Sequence, residues 1–159
     1  FKSSEIASHG FDLCVAGKIH DDIYGQDIKR MCEGESNIKL LDYVDEIEKS
    51  WLFLNAYAFV SPSCVEGFGI PVLDAASLGV RVLASDLPSH KEIAHLVQEN
   101  QNFRLLDLSN VDNWINELKF LNNLNLSMDV EIKLRIKRYE YCFKTLKDTF
   151  EKSILDLVT

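Results

Sequence analysis

Short apolar runs alternate along this chain with longer segments whose apolar residues have helical spacing. Five runs have the length and composition of buried strands, at residues 11–17, 37–44, 57–63, 80–85 and 103–108. The segments between and after them predict helices at residues 23–34, 45–56, 71–79, 89–100 and 111–124, and one or two terminal helices over 128–158. The chain is therefore predicted to fold by strand and helix in turn.

This alternation predicts a parallel sheet, because each strand must be carried back by a crossover before the next can run the same way. We expect an α/β fold, an open doubly wound parallel sheet of the Rossmann-like kind, as a single domain over residues 1–159. The nearly continuous apolar run at 80–85 fits a strand covered on both faces. In the helix at 45–56, an apolar face is predicted for Ile47, Trp51, Leu52 and Leu54.

Composition narrows the function classes. The chain has 159 residues, of which 47% are apolar, and this is enough for a real core. Its formal charge of −8 gives no general attraction for nucleic acid or an anionic membrane, so no nucleic-acid partner is expected. The sequence shows no spanning segment and no secretory signal, so a cytoplasmic location is predicted. The four widely spaced cysteines are expected to be reduced and mostly buried.

The loop after the third predicted strand has the least ordinary chemistry, in the stretch "EGFGIPVLD" of residues 66–74. Gly67 and Gly69 allow backbone conformations closed to other residues and leave no Cβ in the way of a ligand. A helix is predicted to begin at Pro71, and the N–H groups of a first turn are unpaired at the positive end of the helix dipole. This corner predicts a site for an anion such as a phosphate.

Two carboxylates flank the corner, from Glu66 in the loop and from Asp74 in the predicted first turn of the helix. A carboxylate accepts two hydrogen bonds and suits the vicinal hydroxyls of a sugar or ribose. Taken singly, Asp74 can equally complement the helix dipole and Glu66 can be a solvated loop residue. Together with the anion site, they suit a nucleotide sugar.

Residues 66–76, "EGFGIPVLDAA", with Gly79 and the strand "VRVLASD", resemble the donor-binding motif of the retaining GT-B glycosyltransferases of family 4, the group 1 glycosyltransferases. The family's hallmark is a Glu, seven residues and a second Glu. The resemblance continues through "SDLPSHKEI" and "LLDLSNVDNWINEL" and covers roughly Phe11 to Leu121. It implies a donor-binding domain, the C-terminal half of a GT-B enzyme.

The resemblance also implies roles for matching residues. Glu66 would contact hydroxyls of the transferred sugar and is the candidate catalytic residue, and Asp74 would bind the ribose. The backbone of Gly67, Phe68, Gly69 and Ile70 would face the sugar and diphosphate. Tyr43 and Val44 lie where the family often places the base pocket, although they can equally be ordinary strand residues.

The implied reaction is retaining transfer of a hexose to an acceptor hydroxyl, without metal or cofactor, from a UDP or GDP sugar in polysaccharide or glycoconjugate biosynthesis. The acceptor would be a saccharide or lipid-linked. The sequence contains no DxD motif, and His20-Asp21-Asp22 is interpreted as a solvated turn instead of a metal cluster.

The chain departs from the family's pattern in several places. Asp74 stands where the family usually has Glu, and the family's basic residues for the diphosphate come from a first strand that is absent here. We therefore expect a fragment that partners with an N-terminal acceptor domain, binds nucleotide weakly and transfers nothing alone. Peripheral association of the full-length protein with the inner membrane is left open.

Two other functions stay open, a non-catalytic interaction module of GT-B type and a sugar-nucleotide epimerase of the same architecture. We interpret His90 as a helix cap or surface residue, although it lies near the end of the fourth strand, where it can approach the donor.

Overall fold

The computed structural model describes residues 1–97, 102–123 and 128–158. Its described residues form five strands, β1 (Leu13–Ala16), β2 (Ile38–Asp42), β3 (Ala58–Ser61), β4 (Arg81–Ser85) and β5 (Phe103–Leu106). They also form six α-helices, α1 (Ile23–Cys32), α2 (Glu46–Asn55), α3 (Ile70–Ser77), α4 (Pro88–Val97), α5 (Val111–Asn123) and α6 (Met128–Val158). The predicted order of strands and helices is confirmed.

Element boundaries differ from the predictions in detail. Two short 3-10 turns, Lys2–Ser4 and Ile6–His9, precede β1. The helix α3 begins at Ile70, one residue before the predicted start, so Pro71 is its second residue. The predicted residues 98–100 of α4 and residue 124 of α5 lie outside the described residues. The terminal segment is one helix over Met128–Val158.

All strand pairs in the described part of the chain are parallel, as the alternation predicts. β1 pairs with β2, and β3, β4 and β5 form a second sheet in that order. In the second sheet Val82 of β4 lies opposite Phe59 on one side and Phe103 on the other. The α/β fold class with parallel sheets is thus confirmed.

The contacts divide the chain into two compact units. The first unit consists of Phe1–Trp51 with Ile115–Leu124, and the second of Leu52–Trp114 with Asn125–Thr159. The expectation of a single domain over residues 1–159 stays a prediction. Among the described residues, no helix has the length and apolar character that crossing a membrane requires.

The core of the second unit surrounds β4, whose five residues are all buried. The fully buried Val72 and Ala75 of α3 and Ile93 and Val97 of α4 belong to the same cluster as Val82. Each large apolar side chain buried here contributes roughly 1.5–3 kcal/mol to the free energy of folding. This packing stabilises the positions of α3 and α4 against β4. The prediction that residues 80–85 form a strand covered on both faces is confirmed.

The helix α6 buries an unusual face on this unit. Its inward positions follow the helical spacing and are Glu131, Arg135, Arg138 and Cys142. Outward positions carry Ile132, Ile136, Tyr139 and Phe143, each more than two fifths exposed. The charged residues therefore face the core side, where they need partners to offset the loss of water.

Those partners are arginines and backbone carbonyls. Oε2 of Glu131 accepts from Nη2 of Arg81 at 2.9 Å, and Oε1 accepts from Nη2 of Arg138 at 2.5 Å. Burial alone raises the pKa of Glu131, but these hydrogen bonds and the two positive charges bring that pKa below its ordinary value. Nε of Arg138 donates to the carbonyl of Gly79 at 2.7 Å, just past the end of α3. We call Arg81, Glu131 and Arg138 the α6 clamp.

The predicted apolar face of α2 is largely exposed, since Ile47, Trp51 and Leu54 are 80%, 62% and 54% exposed. The last turn of α2 instead buries Phe53, edge-on to Phe59 with ring centroids 5.2 Å apart. The expectation that the cysteines are mostly buried is wrong. Cys14 and Cys64 are exposed: Cys14 alternates outward with Ala16 along β1, and Cys64 lies in a loop.

Candidate functional site

The candidate site is the corner between β3 and α3. β3 ends at Ser61, and residues 62–69 lead to α3, which begins at Ile70. In parallel α/β sheets, ligands bind at the carboxyl ends of strands, where the following helices begin. The corner thus has the position that the sequence predicts for a ligand site.

No polar side chain caps the first turn of α3 within the described residues. The N-cap is Gly69, in the left-handed conformation with φ 89°, and it offers no side-chain acceptor. Its carbonyl accepts the backbone N–H groups of Val72 and Leu73 at 2.9 and 3.0 Å, and Pro71 has no N–H group. The first turn therefore completes its own hydrogen bonds from Val72 onward.

Three backbone donors at this corner have no partner. In the described part of the chain, the N–H groups of Phe68, Gly69 and Ile70 donate no hydrogen bond. Phe68 and Ile70 are 44% and 60% exposed, whereas Gly69 is buried. Unpaired amides at the positive end of a helix form a ready site for an anion.

Glycine is required at residue 69 and is not required at residue 67. A Cβ on Gly69 would lie 3.2 Å from Cδ2 of His90 and 3.3 Å from Cδ1 of Ile93, in addition to the cost of its positive φ. A Cβ on Gly67 would meet no atom of the described residues within 4 Å. Gly69 thus allows the corner to lie directly on α4, whereas Gly67 faces outward.

Glu66 lies half-buried in the loop before the corner. Its Oε2 accepts a hydrogen bond from Oγ of Ser63 at 3.3 Å, and Oγ of Ser63 also lies 3.4 Å from Oγ of Ser61. Ser63 thus holds one oxygen of Glu66. The other oxygen is available to accept from a ligand hydroxyl.

Asp74 is the fifth residue of α3, not part of its first turn as predicted, because the helix begins at Ile70. The stabilising effect of the helix dipole falls off within the first turn, so a role in complementing that dipole loses its support. Asp74 is half-buried on the same helix that carries the open amides. Its contact with a ribose stays a prediction.

Tyr43 and Val44 follow β2 and belong to the first unit. The Tyr43 side chain is 75% exposed, and Val44 is half-buried. Glu66, Gly67, Phe68, Gly69, Ile70 and Asp74 are brought together at the corner in the second unit. The base pocket expected at Tyr43 and Val44 stays a prediction.

His20-Asp21-Asp22 forms the turn into α1, and Asp22 is its N-cap, with Oδ1 accepting from the N–H of Gly25 at 2.7 Å. Asp22 thus satisfies a helix donor with its own carboxylate. Among the residues described, no group of three or more His, Cys, Asp and Glu side chains is placed to hold a metal ion.

The residue that sequence reasoning undervalued is His90. Its side chain is fully buried, which excludes the surface role, and its Nδ1 lies 2.8 Å from the carbonyl oxygen of Ser85. The available signal was the position of His90 just after the carboxyl end of a strand. Its burial could not be known from the sequence.

Parallel strands, alternating helices and an open helix N-terminus define the class of this unit, an α/β domain with a candidate anion site at the carboxyl end of a strand. The chain belongs to the group 1 glycosyl transferases, whose family model matches residues 1–138.

Several known proteins are similar to the chain. It is 40% identical over 73 residues to the O-antigen chain mannosyltransferase B of Escherichia coli, over 46% of this chain and 19% of that protein. It is 24% identical over 152 residues to the Glycosyltransferase 1 domain-containing protein 1 of Xenopus tropicalis, over 91% of this chain and 41% of that protein. The chain thus spans less than half the length of these relatives.

Two solved structures share the fold. The structure of TarM covers 98% of this chain, with a TM-score of 0.70 and 18% identity, and the match covers 30% of that protein. The pneumococcal O-GlcNAc transferase GtfA, solved in complex with UDP and GlcNAc, also covers 98% of this chain, with a TM-score of 0.60, 17% identity and 31% of that protein covered.

Proposed function

We propose that this chain is the donor-binding domain of a glycosyltransferase and binds a nucleotide-diphosphate sugar at the β3–α3 corner. The observation that carries the proposal is the α3 N-terminus, where Gly69 is the N-cap and the amides of Phe68, Gly69 and Ile70 have no acceptor among the described residues. Those amides would hold the diphosphate without a lysine, which fits a chain of net charge −8.

The two carboxylates would bind the hydroxyl groups of the donor. Glu66 would accept hydrogen bonds from hydroxyls of the transferred sugar, with its orientation set by Ser63. Asp74 would bind the ribose hydroxyls from one turn further along α3. Gly67 would leave room at the outer side of the loop.

The proposed reaction is retaining, metal-independent transfer of a hexose. The transfer of a sugar is supported by the family and by the similarity to a protein named as a mannosyltransferase. The bond between the anomeric carbon and the diphosphate oxygen breaks as the acceptor hydroxyl attacks from the same face. The hydroxyl proton leaves with the diphosphate, whose developing charge the helix amides stabilise. The acceptor would be a saccharide or a lipid-linked saccharide, bound with the help of an N-terminal domain.

Isothermal titration with UDP, GDP and their hexose conjugates tests this proposal. One of the two nucleotide sugars is expected to bind saturably. Glu66→Gln should lower its affinity about tenfold, the change expected for the loss of one charge-assisted hydrogen bond. Glu140→Gln, an exposed change on α6, is the matched control and should leave the affinity unchanged.

Absence of saturable binding to every nucleotide sugar would contradict the proposal and favour the non-catalytic interaction module. Binding accompanied by epimerisation of the sugar, detected by product analysis, would favour the epimerase instead.

A further inference from the structure

A chain of hydrogen bonds runs beneath the β3–α3 loop and ends on Glu66. It begins at His90 of α4, passes through Ser85 at the end of β4, and reaches Ser63 in the loop. All four residues belong to the second unit. Ser85 and His90 are each fully buried, so the bond between them is protected from competition by water.

The direction of each bond follows from the chemistry of the groups. The Ser85 carbonyl can only accept, so Nδ1 of His90 carries the proton of the bond between them at 2.8 Å. Oγ of Ser85 donates to the carbonyl of Ser63 at 2.6 Å. Oγ of Ser63 donates in turn to Oε2 of Glu66 at 3.3 Å.

The same histidine supports the other half of the candidate site. Cδ2 and Nε2 of its ring lie 3.2 and 3.4 Å from the position that a Cβ on Gly69 would take. Nε2 is buried and has no hydrogen-bond partner among the described residues. An orphaned buried nitrogen costs free energy, and such a cost in a native fold calls for an explanation at the site it faces.

We propose that Ser63, Ser85 and His90 are positioning residues that fix the Glu66 carboxylate and the Gly69 corner in the geometry that receives the transferred sugar. This inference rests on the proposed function, because it assigns to Glu66 the contact with the sugar hydroxyls. The three residues touch no substrate atom. They act by fixing the loop at its start, through the Ser63 carbonyl, and by packing the ring of His90 under its end.

The buried neighbour of His90 supplies a matched control. Ser89 is buried beside it in α4, and within the described residues its hydroxyl has no hydrogen-bond partner. Ser89→Ala therefore removes a buried serine hydroxyl close to the network without breaking any of its bonds. Ser63→Thr keeps the donor hydroxyl and serves as the conservative variant.

The test measures the affinities of the 159-residue chain for a UDP or GDP hexose and for the corresponding nucleoside diphosphate. Ser63→Ala should lower the affinity for the nucleotide sugar roughly threefold to tenfold. The affinity for the nucleoside diphosphate should stay unchanged, because only the sugar contacts Glu66. Ser63→Thr should restore the affinity, and Ser89→Ala should match the parent. In a Glu66→Ala background, Ser63→Ala should cause no further loss.

His90→Asn retains a donor at the place of Nδ1 but removes the rest of the ring. It should shift the backbone amide resonances of Gly67, Phe68 and Gly69, whereas Ser89→Ala should leave them in place. Unchanged resonances, or equal loss of affinity for both ligands in Ser63→Ala, would overturn the positioning role.

The two proposals fail in different ways. If the parent binds the nucleotide sugar and Glu66→Ala weakens it while Ser63→Ala does not, the positioning role is wrong and the proposed function stands. If the parent binds no nucleotide sugar, the proposed function is wrong. The network is then judged by the side-chain carboxyl carbon resonance of Glu66, which Ser63→Ala should shift and whose constancy would refute it.

Discussion

The helices α1 and α3 each follow a parallel strand, but their first turns are completed in opposite ways. At α1, the carboxylate of Asp22 accepts from the N–H of Gly25 at 2.7 Å. At α3, the N-cap is Gly69, and the amides around it are left without a partner in the described chain. One corner supplies its own anion and the other is open to a ligand.

The C-terminal end of α3 meets the α6 clamp, where Nε of Arg138 donates to the carbonyl of Gly79 at 2.7 Å. A cation at a helix C-terminus stabilises the dipole from the far end and leaves the N-terminus unoccupied. An open helix end is therefore compatible with a rigid helix when the other end is fixed.

The largest effect is expected from breaking the clamp with Glu131→Gln. This change leaves Arg81 and Arg138 buried without their carboxylate, and removal of one partner of a buried pair costs about 3–5 kcal/mol. The free energy of unfolding, measured in urea, should fall by that amount. Glu140→Gln on the exposed side of α6 should leave it unchanged, and a similar loss in both variants would contradict the clamp.

The difference in unfolding free energy between the parent and Glu131→Gln should depend on pH with a defined sign. Because the folded-state pKa of Glu131 is lowered, its contribution is present above the ordinary glutamate pKa, about 4.3, and is lost as pH falls through the folded pKa. The difference in unfolding free energy between the parent and Glu131→Gln should therefore shrink on acidification below about pH 4. A difference that is constant from neutral to acid pH would contradict the lowered pKa.

A smaller effect is expected from filling the open corner. Gly69→Ala forces a side chain into the left-handed region, which costs roughly 1–2 kcal/mol, and crowds His90 and Ile93. Urea unfolding should report this loss, and nucleotide affinity should fall as the amides move. Gly67→Ala, whose Cβ meets open space, is the control for the unfolding free energy, and an equal loss of stability at the two glycines would argue against the packed corner.

A change at the Asp22-capped first turn of α1 should lower stability and leave nucleotide binding unchanged. Asp22→Ala removes the cap of α1 and should cost about 1 kcal/mol in unfolding free energy. Nucleotide affinity should stay that of the parent, as should both quantities in the exposed Asp21→Ala control. A loss of nucleotide binding in Asp22→Ala would show that the ligand uses the corner assigned as closed.

The smallest effect is expected at Asp74. If Asp74 contacts the ribose, Asp74→Ala should weaken nucleotide binding roughly threefold or more, and Asp74→Glu should tighten it by a longer reach. Asp112→Ala, an exposed change in α5, is the control. If a titration shows that Asp74→Ala binds the nucleotide as tightly as the parent, the ribose role of Asp74 is wrong.

The order of strands and helices could be predicted from hydrophobic periodicity, since the buried run at β4 and the glycine-bounded helix α3 are local patterns. The face of α6 could not. Its apolar stripe, Ile132 to Phe143, is exposed, and the buried face carries Glu131 and Arg138, because the partner of Glu131 lies 50 residues away at Arg81. Periodicity assumes that apolar residues face inward, and here paired charges do.

The candidate site was predictable to the extent that it is contiguous in sequence. The corner from Glu66 to Asp74 lies within one loop and one helix, so its chemistry is visible in nine residues. The bonds that orient Glu66 join a loop to the ends of a strand and a helix up to 27 positions beyond Ser63. Such contacts depend on the packing of β3 against β4, which no local pattern specifies.

Backbone amide NMR during titration with a nucleotide sugar tests the open corner most directly. The resonances of Phe68, Gly69 and Ile70 should shift saturably, while those of Gly25 and Gln26 at the Asp22-capped corner should stay in place. Saturable shifts at Gly25 and Gln26, or no saturable shift at Phe68, Gly69 and Ile70, would contradict the assignment of the donor site.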